Sequence, residues 1–350
     1  MVIKTNITEM FGIKHPIFQA PMGPEITKKL AMKVSEAGGM GVIGHGAPWS
    51  FPGSSLKARI DMKKELEYVI EHTDKPFGFN LRTGRLQRDA KYLCSDIPKF
   101  IFSNPKLREQ CVYAITSAGS PRLLPQSKNF QKLKSSSNIK HFHVAPALWL
   151  ADKCVASGVD GLVVTGGEGG GHQSYEQIST LVLLQQVTQR YPDIPVIACG
   201  GFATGQGLAS ALAGGAGAIV MGTRFIACTD STFPPAYKNL IPPANAEDTV
   251  LTSGLLGPVR LWKNEYTLHH GQVVDKVAKI AEEQAMSIKE MMDYMSHWRD
   301  ASEENLHSRV LLIGQTIGLI NSIERSAKDI IESVVSEAEK RLKKANSYIS

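Results

Sequence analysis

The sequence lacks any long hydrophobic run. No stretch of its 350 residues approaches the roughly 20 consecutive apolar residues that a membrane-spanning helix needs. The N-terminal segment, Met1-Val-Ile-Lys-Thr-Asn-Ile-Thr-Glu-Met, has neither the apolar region of a secretion signal nor the Arg-rich amphipathic pattern of an import signal. We therefore expect a soluble, cytoplasmic protein without a membrane partner.

Cysteine is also scarce, and its spacing is uninformative. Cys94, Cys111, Cys154, Cys199 and Cys228 are odd in number, widely separated and include no Cys-x-x-Cys pair. A disulfide framework or a zinc site would require paired, closely spaced cysteines. We expect reduced thiols and no bound metal.

Charge of one sign is nowhere concentrated. The chain has 39 Lys plus Arg against 33 Asp plus Glu, and the resulting net charge of +6 is spread along the sequence. Nucleic-acid binding requires a concentrated basic patch, so we expect no nucleic-acid partner. The small basic excess is compatible with an anionic small-molecule substrate.

What the sequence does contain is an alternation of short β-type runs with helical patterns between residues 15 and 225. Most of these runs are continuously apolar, which is typical of strands buried on both faces of a parallel sheet. Helices fit between them, for example at 28–37, at 180–190 and directly after Thr204, a candidate N-cap. The strand candidates are 15–21, 40–44, 76–81, 112–117, 139–145, 161–166, 195–200 and 218–222.

Eight strand–helix units with glycine-rich turns at the strand C-termini predict an α/β fold, a (β/α)8 TIM barrel. A doubly wound open sheet is the competing fold. After residue 225 the pattern changes to Pro-Pro pairs and to helical stretches at 271–299 and 327–344. We expect a barrel core over residues 1–228, and over residues 229–350 an added, mostly helical C-terminal subdomain that packs on the barrel and completes the domain.

The richest motif is Val163-Val-Thr-Gly-Gly-Glu-Gly-Gly-Gly-His172, which follows the sixth strand candidate. We call residues 166–171 the glycine loop. Glycines let backbone N–H groups approach a ligand closely. A histidine at this end of a barrel is suited to act as a base, an acid or an anion partner. A flexible loop with an incidental surface histidine is the alternative interpretation.

Two further glycine pairs end the last two strand candidates. Gly200-Gly201 follows the seventh and Gly222-Thr223 follows the eighth, where barrels of this kind commonly bind a phosphate. Tight turns that need glycine for geometry alone are the alternative. At the first and third strand ends, Ala20-Pro21-Met22 and Asn80 offer an apolar ledge and an amide to a flat aromatic cofactor. An ordinary turn and a strand-end cap are the alternative interpretation of these residues.

These motifs resemble the nitronate monooxygenase family, formerly called 2-nitropropane dioxygenase. The resemblance runs in order from about Ile7 to Thr229 and returns in Gly314-Gln-Thr-Ile-Gly-Leu-Ile. It is carried by Ile17-Phe-Gln-Ala-Pro-Met, Ser35-Glu-Ala-Gly-Gly-Met-Gly-Val-Ile-Gly, Lys75-Pro-Phe-Gly-Phe-Asn, Gly166-Gly-Glu-Gly-Gly-Gly-His, Ile197-Ala-Cys-Gly-Gly-Phe-Ala and Val220-Met-Gly-Thr-Arg-Phe.

The resemblance implies an FMN-dependent TIM barrel. The isoalloxazine ring would lie across Ala20, Pro21, Met22 and Asn80, with Gly170 and Gly171 close to it. The phosphate would lie on Gly200, Gly201, Met221, Gly222 and Thr223, and His172 matches the catalytic histidine of the family.

The implied activity is oxidation of alkyl nitronates, and in some cases neutral nitroalkanes, by O2 to a carbonyl compound and nitrite. We expect a monomer or homodimer in which a protonated His172 binds the nitro group, or an unprotonated His172 removes the α-proton of a nitroalkane. Enoyl-thioester reductases and NADH:quinone reductases share much of this motif set. NAD(P)H-dependent reduction of quinones or enoyl thioesters is therefore an alternative, and a non-catalytic flavin-binding barrel is a second one.

Other polar residues are weaker candidates. His45 follows the second strand candidate and is a candidate for the pocket lining, and His143 ends the fifth and is a candidate to line the pocket facing the flavin ring. Arg224 is expected either to pair with a phosphate or to form a structural ion pair. His269 and His270 have no partner at metal-ligand spacing and are expected at the surface.

Overall fold

The computed structural model describes residues 3–22, 27–44, 54–84, 87, 89–254, 257–268, 276–297 and 302–349. Its strands are β1 (Ile17–Gln19), β2 (Gly41–Ile43), β3 (Phe77–Arg82), β4 (Cys111–Ser117), β5 (Lys140–Ala145), β6 (Gly161–Thr165), β7 (Gly171–His172), β8 (Val196–Cys199), β9 (Ala218–Met221), β10 (Thr249–Gly254) and β11 (Gly257–Trp262).

The helices of the described residues begin before the first strand and end near the C-terminus. They are α1 (Asn6–Phe11), α2 (Lys28–Glu36), α3 (Ser54–His72), α4 (Ala90–Ser103), α5 (Pro105–Gln110), α6 (Lys128–Lys134), α7 (Leu148–Val155), α8 (Thr180–Arg190), α9 (Gly205–Ala213), α10 (Thr223–Ile226), α11 (Pro235–Asn239), α12 (Glu265–Leu268), α13 (Lys276–Ala285), α14 (Ile288–Ser296) and α15 (Ala327–Asn346). None of these is long and apolar enough to cross a membrane.

Eight parallel strands form a closed barrel. Their order is β1-β9-β8-β6-β5-β4-β3-β2, and a bridge between Phe18 and Met40 joins β1 back to β2. The Gln19 N–H donates to the Met40 carbonyl and the Met40 N–H donates to the Ile17 carbonyl, each at 2.9 Å. The TIM barrel prediction and all eight strand candidates are confirmed, and the open sheet is excluded.

The N-terminal end of the barrel is closed by α1. The ring of Phe11 lies 5.3 to 5.7 Å from the rings of Phe18, Tyr113 and Phe142, all of which are buried inside the barrel. A capping box between Thr5 and Thr8 starts this helix. Because the interior is filled from this end, space for a ligand is left at the opposite end, where the strands terminate.

The last helix, α15, completes the ring of barrel helices. It packs against α9 and α2, which is the place of the eighth barrel helix. A Cβ at Gly205 would come within 2.4 Å of the α15 backbone, so this glycine permits the close approach of α9 and α15. Most of the chain between β9 and α15, residues 229–326, therefore forms an insertion between the last strand and the last helix of the barrel, which we call the insertion.

The insertion contains a β-hairpin that the sequence pattern did not predict. Strands β10 and β11 pair antiparallel from Thr249–Trp262 to Gly254–Gly257, and β11 also pairs with β7. The predicted helical stretches correspond to α13, α14 and α15. The predicted helices at 28–37, at 180–190 and after Thr204 correspond to α2, α8 and α9, and the Thr204 hydroxyl accepts the Gly207 N–H.

Candidate active site

A cavity of about 720 Å³ lies at the carboxyl ends of the barrel strands. The end of β3 and the segments that follow β1, β4, β5, β6, β8 and β9 line it, and the insertion contributes a wall around Leu311 and Gly314. The predicted site residues that line the cavity are Ala20, Pro21, Met22, Asn80, Gly170, Gly171, His172, Gly200, Gly201, Gly222 and Thr223. Met221 does not line it, because its side chain is fully buried in the core outside the barrel interior.

His172 is held by the insertion. In the two-residue strand β7, His172 lies opposite Val259 of β11, and Gly171 lies opposite Arg260. The Gln173 N–H extends this pairing by donating to the Pro258 carbonyl at 2.8 Å. The position of the candidate catalytic histidine therefore depends on β11, a strand that lies nearly ninety residues later in the sequence.

The glycines before His172 are required by geometry. Gly171 has a φ of +85°, a region that side chains with a Cβ rarely adopt. A Cβ at Gly170 would lie 2.7 Å from the Gly314 nitrogen of the insertion. The glycine loop thus packs directly against the insertion, and His172 lines the cavity.

His172 is neutral at physiological pH. Burial lowers its pKa to about 4, and the nearby positive charge of Arg82 contributes to the same lowering. The expected protonated His172 that binds a nitro group is therefore not supported. A neutral imidazole is suited instead to accept a proton.

Arg82 is a half-buried cation of the cavity, and it was not among the residues predicted from the sequence. It ends β3 and lines the same cavity as His172. Burial lowers its pKa to about 10, an effect that the carboxylate of Asp89 opposes, so the guanidinium stays charged at neutral pH. Its position directly after the third strand candidate is the signal that identifies it, because side chains at this edge of a barrel point into the active site.

Backbone amides at the ends of β8 and β9 are available for an anion. Among the described residues, none accepts a hydrogen bond from the N–H groups of Gly201, Gly222 or Thr223. Gly200 and Gly201 have φ values of +85° and +88°. The Thr223 hydroxyl accepts the Gly314 N–H at 3.0 Å, which ties this side of the cavity to the insertion.

Glu168 lies beside these amides but is already engaged. Its carboxylate accepts the Thr180 N–H at 2.9 Å and the Thr180 hydroxyl at 3.0 Å, at the first turn of α8. A carboxylate in this place satisfies the orphan N–H groups of that helix. The start of α8 is therefore occupied by a side chain of the protein, whereas the amides after β8 and β9 are not.

The remaining candidates lie elsewhere. His143 is fully buried, and its Nδ1 lies 2.6 Å from the Thr116 hydroxyl, which His141 also contacts at 2.7 Å. Because His143 is not part of the cavity lining, the expectation that it lines the pocket is wrong. Arg224 is buried and also lies outside that lining. His45, His269 and His270 lie outside the described residues.

Comparison with known proteins places this site in a family. The family model described as nitronate monooxygenase matches residues 4–337. A nitronate monooxygenase of Paraburkholderia phytofirmans is 30% identical, with 75% of this chain and 78% of that protein covered. A (3aS,4S,5R,7aS)-5-hydroxy-7a-methyl-1-oxo-octahydro-1H-indene-4-carboxyl-CoA dehydrogenase of Rhodococcus jostii is 32% identical, with 97% of each chain covered.

A solved structure agrees with the fold along the whole chain. The structure of FabK from Thermotoga maritima superposes with a TM-score of 0.78 at 31% identity, and 99% of this chain and 100% of that chain are covered. The match to the family model and the identities to full-length relatives are sufficient to assign membership. The chain belongs to the nitronate monooxygenase family of flavin-dependent oxidoreductases.

Proposed function

We propose that the cavity binds FMN. The free N–H groups of Gly201, Gly222 and Thr223 match a single terminal phosphate. The carboxylate of Glu168 already accepts the first N–H of α8, so the start of that helix is not available to a second phosphate. Ala20, Pro21 and Met22 form an apolar ledge for a flat ring. Bound FMN would supply the redox chemistry, while the protein supplies position and electrostatics.

For the reaction we propose oxidation of alkyl nitronates, and of neutral nitroalkanes after loss of their α-proton, by O2 to a carbonyl compound and nitrite. The observation that carries this proposal is that a neutral His172 and a charged Arg82 line one cavity. The guanidinium attracts the delocalised negative charge of the nitronate oxygens. The imidazole accepts the α-proton when the substrate arrives as the neutral nitroalkane.

The two residues support each other electrostatically. Burial and, as the smaller cause, Arg82 lower the pKa of His172, so the imidazole is unprotonated when a nitroalkane enters. As the α-proton leaves, negative charge develops on the nitro group beside Arg82 and offsets the guanidinium charge that His172 experiences. The affinity of His172 for the proton therefore increases as it is transferred.

A second candidate is oxidoreduction of an acyl thioester with a pyridine nucleotide. It is favoured by the identity to the carboxyl-CoA dehydrogenase of R. jostii over 97% of each chain. The cavity mouth also carries the exposed cations Arg122 and Lys153. Cations at the mouth are suited to the phosphates of a coenzyme A tail, and a cavity of about 720 Å³ has room beyond a flavin.

Anaerobic mixing separates the two reactions. The purified flavin-loaded protein is mixed with ethylnitronate and, separately, with NADH and NADPH, while the flavin absorbance is followed. Nitronate oxidation predicts rapid bleaching with ethylnitronate, and nitrite after O2 is admitted. Bleaching by NADH or NADPH alone, followed by recovery with an enoyl-CoA and not with ethylnitronate, would replace the first proposal with the second.

A further inference from the structure

We propose that Arg260 is a positioning residue that fixes the glycine loop, and with it His172, against the hairpin of the insertion. The inference rests on the proposed function in that it assigns His172 a role in proton transfer. Arg260 does not line the cavity, so it acts through the loop and not on the substrate.

The guanidinium of Arg260 joins both strands of the hairpin to the far end of the glycine loop. Its Nε donates to the Gly167 carbonyl at 2.6 Å, and its Nη1 donates to the hydroxyl of Thr249, the first residue of β10, at 3.0 Å. The backbone of Arg260 lies opposite Gly171. One residue therefore contacts the loop at its second and at its last position.

This fastening is needed because the backbone pairing is short. β7 contributes two residues to the sheet, and its register consists of the pairs Val259–His172 and Arg260–Gly171. Two pairs at the edge of a small sheet provide little resistance to fraying. The side chain of Arg260 adds a contact beyond the end of the paired region, where the strand alone does not hold the loop.

Charge reinforces the arrangement. Arg260 is half-buried, and the carboxylate of Glu168 opposes the lowering of its pKa by burial. Glu168 itself is bonded to Thr180 at the start of α8. The loop is therefore held from the barrel side through Glu168 and from the insertion side through Arg260.

The position of the loop sets the environment of His172. The charged group that acts on His172 is Arg82 from β3, and β11 presents Val259 opposite the histidine. Glu168 and Arg260 interact with each other at the loop that precedes it. Loosening the loop admits water to the imidazole and removes the cost of charging it. The titration of His172 is thus a readout of loop position that does not depend on turnover.

The test is a titration of histidine-labelled protein by NMR, with the His172 signal assigned by its loss in His172→Asn. In Arg260→Ala the pKa of His172 should rise from about 4 to about 5 or above, towards the 6.5 of a hydrated imidazole. The acid limb of the kcat profile should move with it. We expect kcat on a neutral nitroalkane to fall roughly 10- to 100-fold with a smaller change in KM.

Three further variants keep the test decisive. In Arg260→Lys the side chain reaches either the Gly167 carbonyl or the Thr249 hydroxyl but not both, so the pKa of His172 should shift by an intermediate amount. Thr249→Val removes the second of these acceptors and should shift the pKa of His172 by a smaller amount. Arg309→Ala is the matched control, because it removes an arginine bond to the Ser296 carbonyl elsewhere in the insertion. It should lower the melting temperature without moving the titration of His172.

An unchanged His172 titration in Arg260→Ala, with a loss of stability like that of Arg309→Ala, would overturn the positioning role. If Arg260→Ala does not fold, unchanged titrations in both Arg260→Lys and Thr249→Val would do the same. The expected titration shifts combined with full activity of His172→Asn would support the positioning role and refute the proposed function, so the two failures are distinguishable.

Discussion

The barrel and the insertion contribute to the cavity in different ways. Barrel strands end at the cavity and carry their residues there directly, as β3 does with Arg82 and β9 does with the amides after Met221. The insertion forms one wall of the cavity around Leu311, and it also holds the strand on which His172 lies. Arg82 and the free amides therefore belong to the barrel scaffold, whereas His172, the proposed proton acceptor, depends on a short pairing with a strand that comes later in the sequence.

The insertion returns to the cavity a second time near Gly314. The Gly314 N–H donates to the Thr223 hydroxyl, and the Gln315 N–H donates to the Glu168 carbonyl at 2.9 Å. One short segment therefore contacts both the side of the cavity that holds the free amides and the glycine loop. The two regions meet at these bonds, and the following changes test how their roles divide, from the largest expected effect to the smallest.

Replacing His172 should affect chemistry far more than cofactor binding. Asparagine hydrogen-bonds but carries no proton near neutral pH, so turnover of neutral nitroalkane by His172→Asn should fall roughly 10²- to 10⁴-fold. Turnover of pre-formed nitronate should fall much less, since its α-proton is already gone. Steady-state rates with both substrates, and the flavin content of the variant, measure this. Equal losses with both substrates would assign His172 to binding alone.

Replacing Arg82, in contrast, should strongly reduce the turnover of pre-formed nitronate. Loss of a charged hydrogen-bond partner costs about 1.5–3 kcal/mol, so kcat/KM for nitronate in Arg82→Gln should fall roughly 10- to 100-fold, with partial recovery in Arg82→Lys. Because Asp89 is buried, Arg82→Gln combined with Asp89→Asn controls for an uncompensated charge.

The exposed Arg122 at the cavity mouth provides the matched comparison for Arg82. Arg122→Gln should leave nitronate turnover within about twofold, because an exposed charge is screened by solvent. If Arg82→Gln and Arg122→Gln act alike on nitronate, the buried cation has no special role. An effect of Arg122→Gln confined to acyl-CoA substrates would favour the second candidate function.

The two regions also differ in how much of them the sequence predicts. The barrel strands are continuous apolar runs such as Gly161–Thr165 (β6), which is buried at every position, and such runs are recognisable without knowledge of their partners. Strand β7 is two residues long and exists only because β11 lies beside it. A strand of that length leaves no periodic pattern in a sequence.

The features of the candidate site also differ in how well the sequence predicts them. Glycines with positive φ, such as Gly200 and Gly201, are visible as residue types at strand ends. The protonation of His172 is not visible, because its pKa depends on burial and on Arg82, which is distant in sequence. His143 shows the converse error. It lies in a correctly predicted strand, but its Nδ1 contacts the Thr116 hydroxyl on the side of the strand away from the cavity. Strand alternation decides which face a residue occupies, and a single-residue difference in register moves it to the other face.

A glycine with a positive φ tests the proposed phosphate site of the barrel. Gly201 has a φ of +88°, and a residue with a Cβ pays about 1–2 kcal/mol there. In Gly201→Ala the loop relaxes when FMN is absent, and binding has to restore it, so the FMN dissociation constant should rise roughly 5- to 30-fold. Fluorescence titration of the flavin-stripped protein measures it.

Gly158 is the matched control for this substitution. It has a φ of +73°, open space where a Cβ would lie, and a place in the turn before β6, away from the cavity lining. Gly158→Ala should lose a similar amount of stability and bind FMN like the wild type. Equal FMN affinities for Gly201→Ala and Gly158→Ala would argue against a phosphate at Gly201.

The smallest effect expected is on stability and involves the barrel without the cavity. Burial lowers the pKa of His143 to about 4 and that of His141 well below 6.5, so both are neutral in the folded protein. The unfolded chain binds protons near pH 6.5 and the folded chain does not, so stability is complete above that pH and is lost as the pH falls towards 4. One such histidine changes the free energy of unfolding by at most about 1.4 kcal/mol per pH unit in this window.

His143→Asn should make the pH dependence of the free energy of unfolding shallower by up to that amount, as measured by urea unfolding between pH 7.5 and pH 5. Cys154→Ala, another substitution at a fully buried barrel residue, should lower stability equally at every pH in this range. A pH dependence of His143→Asn that runs parallel to the wild type would show that this buried histidine does not contribute to acid sensitivity, and would leave the acid response to groups at the cavity such as His172.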